Sequence, residues 1–212
     1  MAGYKAHIAF GGITALSLSV VVVMLSLVSV TVVPLIFMLT LVGSMLPDVD
    51  SDTGVPVRLL FLALSIFTAL YTFIYQISDT AFQMNSLLWS IGSAFLVYFV
   101  VGAIFKKFTI HRGIFHSIPA ALVMGLLSIQ IFVPFGWERS ELHVIGASVA
   151  IGYLCHLLLD ELNSAVNLSG VPFIPKRSLG SALKLFSASR RVNLFLYAVL
   201  VGLFVSSAEH LL

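Results

Sequence analysis

An all-α, polytopic transmembrane bundle of about seven helices is the fold class this sequence predicts, and three observations carry that prediction. The 212 residues are 59% hydrophobic and only 9% charged, against about a quarter charged in an ordinary soluble domain. The mean hydropathy is +1.09. The apolar residues gather into runs near the ~17–25 residues that a helix needs to cross a ~30 Å hydrocarbon core.

The first element follows from a length argument. From Ile8 to Leu46 no residue is charged, and one straight helix of that length would run close to ~60 Å, twice the hydrocarbon thickness. The segment must therefore fold back. Ser29-Val30-Thr31 before Pro34 is the expected turn, because hydroxyl side chains and a proline with fixed φ interrupt the run there. A first span over about Ile8 to Val28 and a shorter second over about Val32 to Leu46 result. The apolar run is far longer than the ~7–15-residue core of a signal peptide, so it reads as retained helix.

Five further spans are expected at about Val57–Ile77, Ser86–Phe105, Ile118–Phe135, Leu142–Leu159 and Val192–Ala208. Ser117 can cap the fifth of the seven, with Pro119 tolerated in its first turn. The segment from Asp160 to Arg191 contains Gly170, Pro172, Pro175 and Gly180 and reads as the longest connection. There is no internal repeat, low-complexity tract or soluble module, so residues 1–212 read as a single integral membrane domain. Its helices are expected to pack through Gly11, Gly12, Gly43, Gly92, Gly102, Gly125, Gly146 and Gly152.

Charge supplies the orientation. Seven crossings place Lys5, Arg58, Lys106, Lys107, Arg112, Lys176, Arg177, Lys184, Arg190 and Arg191 on one side, leaving only Arg139 on the other. Cytoplasmic loops carry the excess of Lys and Arg, so the basic side is assigned to the cytoplasm. These cations form no stripe of the kind that binds nucleic acid, and the net charge is only +2. The single cysteine, Cys155, excludes an internal disulfide and reads as a small buried hydrophobe.

Four short elements on that same side carry the chemistry. They are His7; Leu46-Pro47-Asp48-Val49-Asp50; His111-Arg112-Gly113-Ile114-Phe115-His116-Ser117; and Gly152-Tyr153-Leu154-Cys155-His156 with Asp160 at the end of the sixth span. His156 and Asp160 are four apart and share a helix face, so they can bind one ion. Asp48 and Asp50 alternate sides of an extended segment, but a turn after Pro47 could aim both at one centre. His111 and His116 converge only if the chain bends between them, which Gly113 permits. Each group alone has an ordinary reading as a solvated or salt-bridged interfacial residue. Their gathering argues otherwise, because four of the six histidines fall on one face together with Asp48, Asp50 and Asp160, and ionisable groups beside membrane helices are costly. His7, Asp48, Asp50, His111, His116, His156 and Asp160 are therefore the expected metal ligands. Imidazole and carboxylate without thiolate suit Zn²⁺, Mn²⁺ or Fe²⁺, and seven groups are enough for two ions.

At these residues the chain resembles the YdjM-like family of bacterial inner-membrane proteins, described as membrane-bound metal-dependent hydrolases. The His-Arg-Gly-x-x-His-Ser motif at His111–Ser117 is the most specific part, and the matching elements run in order along most of the chain. Gly170-Val171-Pro172-Phe173-Ile174-Pro175 is similar to the family's apolar proline segment, with Ile174 where a tryptophan is often found. The resemblance implies metal-dependent hydrolysis without supplying a substrate.

The leading expectation is a hydrolase acting on a phosphoester or lipid-linked substrate of the membrane. Asp48 or Asp50 would serve as general base, and Arg112 would clamp phosphate through its planar fork. Two alternatives stay open at this point. One is a metal-ion or proton transporter, although carriers place their coupling sites near the bilayer midplane, where these spans lack ionisable residues. The other is a non-catalytic protein in which a metal staples helices together.

Overall fold

The computed structural model describes residues 3–50, 55–79, 84–108, 114–166 and 179–211. All its regular structure is helical, with no β-strand among the described residues. The helices are α1 (Tyr4–Met24), α2 (Val33–Gly43), α3 (Val55–Asp79), α4 (Met84–Phe95), α5 (Gly102–Phe108), α6 (Ile118–Phe132), α7 (Arg139–Val166) and α8 (Arg190–Leu211). A π-helical turn, Leu96–Val101, joins α4 to α5 without a break, so the described residues form seven helical rods.

Six of these rods are long and apolar enough to cross a membrane; the Val30–Gly43 stretch is shorter. Fourteen residues rise about 21 Å, less than the ~30 Å core. The fold-back comes earlier than the hydroxyl cluster suggests. Leu27 N–H bonds to the Val22 carbonyl and Ser26 N–H to that of Val23, each at 3.0 Å, with Ser26 left-handed at φ 51°. That pairing closes a helix C-terminus and stops α1 at Met24 without a glycine. Between α6 and α7 the reversal uses Gly136 at φ 72°, where a Cβ would be strained.

The chain packs as two units, Met1–Pro47 with Arg112–Leu212, and Asp48–His111. In the first, α7 is central and touches α1, α2, α6 and α8. Glycines set the closest approach. A Cβ on Gly152 would collide with the Thr40 carbonyl, one on Gly43 with the Val149 carbonyl, and one on Gly125 would lie 2.9 Å from the Gly146 carbonyl oxygen. Backbones that close gain van der Waals contact that lipid tails cannot match. Gly12 and Gly92, by contrast, face open space and take no part in this packing. Around these crossings Val22, Val32, Ile36 and Ile145 form one apolar cluster, and Ala120, Ala121, Tyr153 and Leu157 another.

Helix α7 continues to Val166, past the expected end at Leu159. Glu161, Asn163 and Ser164 end the apolar run, yet none of them breaks a helix. Asp160 is thus held inside regular helix with two turns beyond it, which fixes its direction. In the second unit, α3 packs along α4 and the π-helical turn.

Candidate functional site

Four helix ends meet at one end of the first unit. His7 lies in the first turn of α1, Ser44 just after α2, His116 two residues before α6, and His156 and Asp160 in the later part of α7. At the other end, Arg139 at the start of α7 donates to the Glu209 carbonyl near the end of α8 at 2.9 Å. His143 likewise donates from Nε2 to the His210 carbonyl at 2.8 Å. The His143 ring is thus paired with backbone at the opposite end of α7 from His156 and Asp160.

His7, His116, His156 and Asp160 are all buried, none more than 2% exposed. The His7 Nε2 lies 3.4 Å from one Asp160 carboxylate oxygen, and the His116 Nε2 lies 3.8 Å from the other. His7 and His156 stack with ring centroids 3.7 Å apart and planes 10° from parallel. His116 meets His156 edge to face, at 5.7 Å and 74°. One ligand atom from each of His7, His156 and Asp160 falls within 4.8 Å of the others.

Second contacts orient these rings. His156 Nδ1 is 2.8 Å from the Ser44 carbonyl oxygen; a carbonyl only accepts, so Nδ1 carries the proton and Nε2 keeps its lone pair in the neutral ring. The segment carrying His116 is tied on three sides. Tyr153 Oη donates to the Phe115 carbonyl, Ser117 Oγ accepts from Ala120 N–H as the expected cap of α6, and Ile118 N–H bonds to the Lys184 carbonyl at 3.0 Å. Next to Asp160, the Glu161 carboxylate accepts from the backbone N–H groups of Gly180 and Ala182 and so holds the start of the 179–189 segment.

The donor set fits a divalent ion on two grounds. Among the described residues the buried His7 Nδ1 has no hydrogen-bond partner and Nε2 has only its 3.4 Å approach to Asp160, which is costly unless something else satisfies them. A fully buried carboxylate among imidazoles also requires compensating positive charge, from a protonated ring or from a cation. Two imidazoles with one carboxylate, all converging, is a ligand combination used by zinc and non-haem iron sites that keep open positions.

Within the first unit, the structure brings together His7, His116, His156 and Asp160 of the seven expected ligands. Asp48, partly buried, and Asp50 lie in the 3₁₀ turn Leu46–Asp50 at the start of the second unit. His111 and Arg112 lie outside the described residues. Sequence reasoning missed Ser44, Tyr153 and Glu161 as supports. Ser44 acts through its carbonyl, which no side-chain pattern reveals. Tyr153 had a signal, a hydroxyl in apolar helix three residues before His156.

These features define a class: a polytopic helical membrane protein with a buried histidine and aspartate cluster at one end of its spans. A family model described as YdjM inner membrane protein matches residues 1–211, and the chain belongs to that family. No curated protein and no solved structure matches the chain.

Proposed function

We propose that this chain is a membrane-bound metal-dependent hydrolase whose site faces the cytoplasm and acts on a phosphoester of a lipid or lipid-linked substrate. The observation that carries the reading is the convergence of His7, His156 and Asp160 within 4.8 Å, with His116 against the second Asp160 oxygen. His7, His156 and Asp160 would hold a Zn²⁺, Mn²⁺ or Fe²⁺ ion. Such an ion supplies a Lewis acid that polarises a phosphoryl oxygen and makes water more acidic. Ser44 fixes the His156 tautomer, and Glu161 and Tyr153 hold the flanking segments still. His116 is placed to bind as a further ligand or to hold a proton beside Asp160.

The cytoplasmic side and the anionic substrate both rest on charge. Lys5, Lys184, Arg190 and Arg191 occur at the site end of the first unit's helices, and Arg139 at the other, which agrees with the basic-side rule. Arg112 as phosphate clamp, with Asp48, Asp50 and His111 as additional ligands or base for a second ion, completes the proposal on sequence grounds. The near-complete burial of the four groups favours a second reading, a metal that fastens α1 to α7 without catalysis.

The experiment is to purify the chain in detergent, measure bound metal, and assay phospholipid and lipid-phosphate turnover for wild type, His116→Ala and Asp160→Asn. Metal in the wild type, its loss in Asp160→Asn, and turnover that follows the metal support the hydrolase. Equal metal content in all three removes the site, and metal without turnover of any phosphoester favours the fastening role.

A further inference from the structure

The second unit carries a groove that the metal cluster does not explain. One hollow of about 220 Å³ opens beside Arg58, in the first turn of α3, and is lined by Phe61, Gly102 and their neighbours. A second, of about 460 Å³, continues along α3 past Ser65 and Ala69 to Leu70. Tyr98 and Phe99 wall both hollows. These two residues belong to the π-helical turn, whose extra residue per turn shifts side chains out of α-helical register, a feature frequent at functional positions. The Phe99 ring packs against Phe95 at 4.6 Å and edge-on to Tyr98 at 5.0 Å, giving a firm aromatic wall.

Chemistry and length narrow the occupant. Ser65 is buried and donates to the Phe61 carbonyl at 2.5 Å, so its hydroxyl makes no polar demand on the groove, which is otherwise apolar along its deeper part. Arg58, at the mouth, is exposed and has no ion-pair partner among the described residues. Twelve helical steps separate Arg58 from Leu70, about 18 Å, close to the ~15 Å of one leaflet's hydrocarbon. A cation at the membrane interface above an apolar channel one leaflet deep matches a phosphate joined to an acyl chain. It does not match a soluble phosphate or a detached fatty chain as well, because each would use only half of the groove.

We propose that the groove between α3 and the α4–π segment is a binding site for an anionic glycerophospholipid, its phosphate on Arg58 and one acyl chain along Tyr98, Phe99 and Ala69. A zwitterionic lipid would place its own ammonium near Arg58 and bind less well. The site is independent of the metal cluster and its chemistry.

The full chain is reconstituted in phosphatidylcholine vesicles doped with either phosphatidylglycerol or phosphatidylcholine bearing a diazirine in one acyl chain, and photolabelled peptides are mapped. Labelling should concentrate on residues 62–70 and 91–99, with the anionic probe favoured roughly five-fold, the effect of one cation at the surface. Arg58→Ala should abolish that preference and Arg58→Lys keep most of it. Ala69→Phe should block labelling of the groove by both probes. Even labelling of every span, or an unchanged preference in Arg58→Ala, overturns the proposal. The Arg58 variants alter an exposed side chain, so they decide the matter even if Ala69→Phe does not fold.

Discussion

His156 stacks on His7 with ring centroids 3.7 Å apart while its Nδ1 donates to the Ser44 carbonyl. Helices α1, α2 and α7 thereby meet at a single imidazole.

Metal content should track individual ligands. Wild-type protein is expected to retain divalent metal through dialysis, and Asp160→Asn or His7→Ala to lose it, read by elemental analysis. Mutations of groups that only orient a ligand typically weaken metal affinity ~10–100-fold. Tyr153→Phe should fall at or below that range, because it removes one donor to the Phe115 carbonyl, leaving Ser117 N–H, and removes no ligand.

Chelation should destabilise the wild type selectively. An ion present at a hundred times its Kd adds about 2.7 kcal/mol to the folded state. Removing it should therefore lower the thermal midpoint in detergent, and Asp160→Asn should be indifferent to the chelator. Equal midpoint shifts in both proteins would show that the chelator acts elsewhere.

Glycine substitutions should divide into two groups by their surroundings. Gly152→Ala and Gly43→Ala force α2 and α7 apart and should cost about 1–3 kcal/mol, as overpacking does. Gly12→Ala and Gly92→Ala meet nothing within 4 Å and should be neutral or stabilising by about 0.5–1 kcal/mol through helix entropy. Thermal or denaturant unfolding of the four variants separates the groups.

Opposite ends of α7 and α8 should label from opposite sides. With buried Cys155 replaced by alanine, a cysteine at position 190 should react with impermeant maleimide only after the cells are opened. One at position 139 should react in intact cells. The reverse pattern would place the cluster on the outer side.

Loosening the Glu161 clasp should be visible locally. Glu161→Ala leaves the Gly180 and Ala182 N–H groups without their carboxylate, and hydrogen exchange at those amides should quicken while that of α2 stays unchanged.

The sequence by itself determined the membrane class, the number of helical rods and the identity of the paired groups on α7. Hydrocarbon admits only apolar segments of a certain length, and helical periodicity sets His156 and Asp160 on one face. Tertiary structure alone decided that His7 and His116 join them, because their meeting depends on glycine crossings at Gly43 and Gly152 and on backbone carbonyls such as that of Ser44. It also decided where α1 and α7 stop. Those ends are set by backbone hydrogen bonds at Ser26 and by continued helix through polar residues, neither of which hydrophobic patterning records. Packing between segments distant in the chain is a property of shape, and a linear pattern carries composition and period but not shape.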